Sequence, residues 1–168
     1  RSPISPPGRC PGPPVLGFVA CGAIVRRRAF LETAGFHPRV GIGGEEQLLA
    51  LDLAAAGWEL AYVDAVTAHH QPVSHGRRAA RVARELRNGL WTAWLRRRAG
   101  GALSSTAALS LAAMREGRPH GLVEALRGLP WVLRERRPVP AAVEDAARAV
   151  ELQRRGRASA AGAGTLAD

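Results

Sequence analysis

The apolar residues between positions 15 and 70 fall into short blocks separated by glycine, proline or charged residues, and this spacing limits the secondary structure that the region can form. The run Val15–Val25 is rich in β-branched residues and glycine, which favours a strand. The run Glu45–Gly57 has leucines and alanines, two acids in its first turn and a terminal glycine, which predicts a helix. The run Trp58–His70 predicts one or two short strands.

A short helix is also expected in "RRRAFLETAGF", which ends near Gly35. The order strand, helix, loop, helix, strand is typical of an α/β fold. The proline-rich residues 1–14 are expected to form a disordered linker, because proline fits neither a helix interior nor a central strand.

The composition changes near residue 76. Residues 76–168 hold 18 of the 24 arginines and eight of the 14 acids, so they carry the whole formal net charge of +10. Apolar residues recur there at helical spacing, as at Val82, Leu86, Leu90, Trp91, Trp94 and Leu95. We therefore expect a basic helical extension at 76–155, with a kink or break at Pro130, and a disordered tail at 156–168.

The chain has two cysteines and no C-x-x-C motif, which favours a reduced protein in the cytoplasm. It contains no uninterrupted apolar run of about 18 residues, so no membrane span is predicted. Its first residues lack the apolar core of a signal peptide.

Several short motifs resemble, in order, the second half of the catalytic domain of family 2 glycosyltransferases, which have the GT-A fold. The matching positions are Ala20-Cys21-Gly22, Arg27-Arg28, Phe30, Gly35-Phe36, Glu45-Glu46, Gly57-Trp58, Tyr62-Val63 and His69-His70. The segment Arg84–Arg98 also resembles the region that follows this half in bacterial members. The resemblance implies an α/β, partial GT-A fold at 15–75, followed by the helical extension.

Two departures from the family pattern bear on function. The family's nucleotide-binding half carries a D-x-D motif, which these 168 residues lack, and its Y-V-P motif is Tyr62-Val63-Asp64 here. We therefore expect a piece of an enzyme that is inactive by itself. The complete enzyme would use Mg²⁺ or Mn²⁺ to transfer a sugar, with inversion, from a nucleotide-sugar donor to a glycan or lipid-linked acceptor in cell-envelope polysaccharide synthesis.

The resemblance assigns roles to several residues. Glu46 would be the general base that takes the acceptor proton, and Glu45 would orient a sugar hydroxyl. Cys21 and Gly22 would lie against the donor sugar, and Trp58 would line the acceptor site. The residue types alone also fit simpler roles: both acids would interact with a helix dipole, and the other three would belong to the core.

The adjacent histidines His69 and His70 end the last predicted strand. By resemblance, one of them completes the metal site or contacts the diphosphate. Their side chains would point to opposite faces of a continuing strand, and His70 is favoured. Two alternatives are an ordinary surface or core histidine and a zinc site with His75, which no cysteine or regular spacing supports.

The arginine-rich helices allow a second interpretation. Tryptophans flanked by arginines suit the headgroup region of an anionic membrane, which would place the protein peripherally at the inner face of the plasma membrane. The alternative function is therefore a non-catalytic module that binds an anionic membrane or nucleic acid. No recognised nucleic-acid motif is present, so a specific nucleic-acid partner is not expected.

Overall fold

The computed structural model describes residues 10–71, 78–117 and 119–164. Their regular structure consists of a 3₁₀ turn at Ala20–Gly22 and six α-helices. The helices are α1 (Arg27–Glu32), α2 (Glu45–Ala55), α3 (Arg78–Arg96), α4 (Ala99–Arg115), α5 (His120–Arg134) and α6 (Ala141–Gly164). None of these described helices combines the length and apolar content that crossing a membrane requires.

The predicted α/β, partial GT-A fold is wrong, because the described residues form helices and no strand. Their β pairing is a single antiparallel bridge between Pro14 and Ala61, next to the hydrogen bond from the Val15 amide to the Leu60 carbonyl. A strand forms only where a neighbour pairs with its N–H and C=O groups. The runs at 15–25 and 58–70 have the expected composition, but among the described residues their β pairing is limited to this bridge.

The helix predictions agree better with the structure. Helices α1 and α2 form where the sequence indicates, and α3–α6 fill the arginine-rich region. Helix α5 contains Pro130 and is a single helix rather than two. Helix α6 runs to Gly164, into the segment for which a disordered tail was predicted. The linker residues 1–9 and His75 lie outside the described residues.

The main apolar core lies on one face of α3, where it meets α5. Leu90, Trp91 and Leu95 are buried there against Val132. The indole N–H of Trp91 donates to the Ala125 carbonyl at 3.0 Å, so the one polar atom of this large side chain is paired. This buried, hydrogen-bonded position removes Trp91 from any role at a membrane headgroup.

Small residues on α5 allow this close approach. A Cβ atom at Gly128 would lie 2.4 Å from the Trp91 ring, and one at Gly121 would lie 2.6 Å from the Ala83 carbonyl oxygen. Both distances are below any real contact. The two glycines, two turns apart on α5, therefore set how near this helix lies to α3.

A buried ion pair joins α3 to α6. The Arg97 guanidinium donates to both carboxylate oxygens of Glu144, at 2.9 and 3.1 Å, and the Glu144 carboxylate also accepts from the Arg98 amide and from Arg148. Arg97 also contacts Glu151. Burial alone would raise the pKa of Glu144, but the hydrogen bonds from Arg97, the Arg98 amide and Arg148 outweigh burial and hold its pKa below the usual value.

We expect this pair to make stability depend on acid pH. Because the pKa of Glu144 is lower in the folded chain, its contribution is present above the carboxylate's unfolded pKa and is lost as pH falls through the folded pKa. Glu144→Gln should lower the free energy of unfolding by roughly 3 kcal/mol at pH 7 and by much less near pH 3. Urea denaturation at both pH values measures this, with the exposed Glu59→Gln as control. An equal loss at both values would contradict the assignment.

The α3–α5 contact gives a second prediction. Gly128→Ala should lower the free energy of unfolding by about 1–3 kcal/mol, because the added methyl group overlaps the Trp91 ring. Gly156→Ala is the matched control in α6, since a Cβ atom added at Gly156 would have nothing within 4 Å. That control should be neutral or slightly stabilising, because alanine favours a helix more than glycine does. Thermal or urea unfolding of the two variants separates the effect of steric overlap with Trp91 from the effect of replacing glycine by alanine in a helix.

Candidate functional site

The site predicted from the sequence is built on the loop that leads into α2. The side chain of Asn88 on α3 is fully buried (0 % exposed), and its amide nitrogen donates to the carbonyls of Val40 at 3.0 Å and Gly43 at 2.7 Å. Its carbonyl oxygen accepts from Arg87 at 3.0 Å. Every hydrogen-bonding group of this amide is therefore used, and the loop is fixed to α3 at both ends.

Glycines complete the entry into α2. Gly43 and Gly44 have φ values of 109° and 93°, in the region that glycine adopts without steric cost. Gly44 is the N-cap residue of α2, so Glu45 and Glu46 form its first turn. The Gly43 amide donates to the Glu45 carboxylate at 2.5 Å. Glu45 is therefore held against its own loop.

The second acid faces a different segment. The Ala20 amide, in the 3₁₀ turn, donates to the Glu46 carboxylate at 3.4 Å. At the other end of this turn, a Cβ atom on Gly22 would lie 3.9 Å from the Cβ of Ala68. The turn therefore contacts the Glu46 carboxylate at Ala20 and lies near Ala68, which precedes His69 and His70, at Gly22. Glu46 is half-buried, and both histidines are exposed.

The other predicted site residues divide into two groups. Cys21 and Gly22 are exposed on the 3₁₀ turn beside Glu46, so they are accessible to a ligand. Trp58 instead packs against a cluster of buried residues that includes Leu49 and Leu53, and its indole N–H donates to Glu32 at 3.0 Å. The structure thus places Trp58 in the core, as the simpler interpretation of the sequence expects.

The described residues do not assemble a metal site by themselves. Over the described ranges, no three or more His, Cys, Asp or Glu side chains form a group that could hold a metal ion. Hard divalent cations need several oxygen ligands, which His69 and His70 do not provide. We therefore derive no metal-dependent step from this chain.

Residues on α3 that the sequence did not single out belong to the same region. Arg81 donates to Glu85 at 2.8 Å, and the Glu85 side chain approaches Gly43, to within 3.1 Å of a Cβ atom placed there. The hydrogen bond with Glu85 raises the pKa of Arg81, and the charges of Glu46 and Glu45 raise it further. Arg81 thus lies in the field of the acid pair. The signal for Asn88 was its position on the apolar stripe of α3, three residues before Trp91 and seven before Leu95.

A cavity of about 320 Å³ opens beside the acid loop, between α2, α3, α4 and α6. The N-cap Gly44 and Gln47 of α2 line one side, and Thr92 of α3 and Arg97, just after α3, line another. The Thr92 hydroxyl is buried and has no hydrogen-bond partner among the described residues. The cavity therefore lies next to the first turn of α2, with charged residues such as Glu85 and Arg97 in its lining and the Thr92 hydroxyl buried behind its surface.

No family model matches this sequence, and neither a curated protein nor a solved structure matches it.

The role of Asn88 in holding the acid loop is testable with a matched pair of substitutions on α3. Asn88→Leu keeps a similar volume but removes two donors from buried carbonyls, so it should lower the free energy of unfolding by roughly 2–3 kcal/mol. Thr92→Val, one turn further along, removes only an unpaired hydroxyl and should not destabilise the fold. Hydrogen exchange of the Gly43 and Gly44 amides should quicken in the first variant alone. Equal stability of the two variants would contradict the role of Asn88.

Proposed function

We propose that this chain supplies the acceptor side of an inverting family 2 glycosyltransferase, with Glu46 as the general base. The substrates would be a nucleotide-sugar donor and a glycan or lipid-linked acceptor of the cell envelope. The proposal rests on the order of the motifs and on the arrangement of their residues. It does not include the GT-A fold, which the described residues do not form.

One observation carries the proposal. The Ala20 amide donates to the Glu46 carboxylate at 3.4 Å. Gly22, at the other end of the 3₁₀ turn, lies near Ala68, since a Cβ atom built on Gly22 would be 3.9 Å from the Ala68 Cβ. Residues that are far apart in the sequence therefore lie near this one turn, namely Glu46 and Ala68, which directly precedes His69-His70. Their shared surface is open, because Cys21, Gly22 and both histidines are exposed.

The hydrogen bonds distinguish the two acids. Glu45 accepts a short bond from the Gly43 amide, which holds its carboxylate against its own loop. Glu46 accepts one long bond, at 3.4 Å, from the Ala20 amide. A general base needs a carboxylate oxygen that is free to accept the acceptor's proton. Glu46 meets this requirement better than Glu45.

The step that Glu46 would serve is a single displacement. An acceptor hydroxyl oxygen attacks the anomeric carbon of the donor sugar as the bond from that carbon to the nucleoside diphosphate breaks. The hydroxyl proton passes to the Glu46 carboxylate, and the diphosphate leaves with the bonding electron pair. The anomeric configuration inverts because attack and departure take place on opposite faces of the sugar.

We assign donor binding to residues outside this chain, which has no D-x-D motif. Exposed apolar side chains support this division. Val19, Ile24, Tyr62 and Val66 lie on the two extended segments beside the site and are 52–88 % exposed. Exposed apolar surface of this kind is typical of an interface. We propose that the donor-binding part of the enzyme covers it.

We further propose that the enzyme works in the cytoplasm. Both cysteines are free in the structure, Cys21 on the exposed 3₁₀ turn and Cys10 as a donor to Glu59 at 3.1 Å. Free thiols persist in a reducing compartment. The hydrogen bond to Glu59 raises the pKa of the Cys10 thiol, which lowers its reactivity at neutral pH.

The base is tested in the full-length polypeptide that contains this chain. Glu46→Gln should lower kcat for sugar transfer about 10²–10⁴-fold, because the amide cannot accept the proton, while KM for the donor changes little. Glu45→Gln should lower kcat less and should also lower stability. Transfer is followed with a panel of radiolabelled nucleotide-sugars and envelope glycan acceptors.

Glu59→Gln is the control, since Glu59 is exposed and lies away from the acid pair in the sequence. Circular dichroism confirms that each variant is folded. Unchanged kcat in folded Glu46→Gln would remove Glu46 from the mechanism. If transfer occurs with no donor in the panel while the folded chain binds anionic vesicles or nucleic acid, the non-catalytic alternative replaces the enzyme.

A further inference from the structure

A broad apolar face extends over α4 and α5. Six large apolar side chains on these helices are 49–71 % exposed. They are Leu103, Leu111 and Met114 on α4 and Val123, Leu126 and Leu133 on α5. On each helix the three residues recur at steps of three, seven or eight, so they form one stripe along the helix. Such a cluster of exposed apolar side chains marks an interaction surface.

A groove joins the two stripes. It has a volume of about 220 Å³ and lies over α3, between Thr106 and Ser110 of α4 and Leu122, Leu126 and Leu129 of α5. Two of its polar side chains are already paired within the fold, because the Trp94 indole N–H donates to the Thr106 hydroxyl at 3.0 Å and this hydroxyl donates to the Ala102 carbonyl. The groove therefore offers apolar surface to whatever covers it.

Arginines border the face on both outer edges. On α5, Arg127 and Arg134 lie four and eleven residues after Val123, on its side of the helix. On α4, Arg115 lies four residues after Leu111. All three arginines are exposed, and none forms an ion pair with another described residue.

The acids of these helices offset this border only in part: the pKa of Glu135 is lowered by its hydrogen bond with His37 and, to a smaller extent, by the charge of Arg134. Glu124 is paired with Arg87 at 3.3 Å, and Glu135 is paired with His37 at 3.0 Å. Glu116 lines a different cavity, with Val82 and Leu86 of α3, and not the groove. The face is thus apolar along its centre and positive along its edges.

We propose that this face binds the surface of an anionic phospholipid bilayer. The exposed leucines and Met114 would enter the region between headgroups and acyl chains, and the border arginines would contact lipid phosphates. This inference does not depend on the transferase activity. It also relocates the membrane contact expected from the sequence, because Trp91 is buried and Trp94 and Trp131 pack against the core.

Charge argues against the other occupants. A second copy of this chain would bring one positive border against another, which opposes association. Nucleic-acid interfaces are polar and highly charged, so an apolar centre suits them poorly. An anionic bilayer satisfies both parts of the face together.

The test measures flotation of the full chain with two kinds of vesicle, phosphatidylcholine alone and phosphatidylcholine mixed with an equal amount of phosphatidylglycerol. Binding should require phosphatidylglycerol and weaken with salt. Leu126→Glu combined with Met114→Glu should weaken binding at least about tenfold, because two apolar contacts are lost and two negative charges are added. Leu152→Glu on α6 is the control, since Leu152 is 67 % exposed and Leu126 is 68 % exposed.

A second set of variants tests the border without altering apolar residues. Arg127→Gln combined with Arg134→Gln should weaken binding by about fivefold per arginine at low salt. Arg26→Gln combined with Arg27→Gln, at exposed positions near α1, should have no effect. Binding that ignores lipid charge, or that falls equally in test and control pairs, would overturn the proposal. The proposal would also be overturned if the unmodified chain did not float with vesicles and instead formed a concentration-dependent dimer that the Leu126→Glu and Met114→Glu substitutions disrupt.

Discussion

The buried stripe of α3 is the contact on which the rest of the structure depends. Asn88, Trp91 and Leu95 follow one another along this stripe, and each holds a different part of the fold. Asn88 binds the loop before α2, Trp91 packs against Gly128 of α5, and Leu95 lies in the core with Val40. Helices α2, α4 and α5 all contact α3. Their relative positions therefore follow from which residues α3 presents on each side.

The helices could be predicted from helical periodicity, because each helix forms its backbone hydrogen bonds within its own segment. Strand composition at Val15–Val25 and Trp58–His70 was equally clear but misleading, since a strand depends on partners elsewhere in the chain. Among the described residues the two runs pair only where Pro14 meets Ala61. Val19 and Ile24 are exposed for the same reason. Valine and isoleucine suit burial against a neighbouring strand, and the described residues provide no such strand.

The sequence predicted the positions of the two acids at the candidate site, but it did not predict which groups hydrogen-bond to them. The position of Glu45 and Glu46 after two glycines indicated a helix start, and the structure has one there. Which acid is held and which is free depends on the Gly43 and Ala20 amides, and no sequence pattern places Ala20 beside Glu46.

The net charge of residues 76–168 was likewise a limited guide to function. Arg87, Arg96 and Arg97 are used in contacts with Glu124, Asp52 and Glu144, so net charge overstates what a partner would meet.

Helix α5 links the two surfaces to which we assign roles. Its outer side carries Leu126 and Leu133, and its inner side carries Trp131, whose ring stacks on His37 at 5.2 Å and meets the Trp91 ring edge-on at 5.0 Å. His37 begins the loop that Asn88 holds at Val40 and Gly43, ahead of the acid pair. Because packed aromatic rings do not deform freely, the position of α5 and the position of this loop are fixed together. A bilayer bound to the outer side of α5 would therefore set the orientation of the Glu46 surface relative to the membrane.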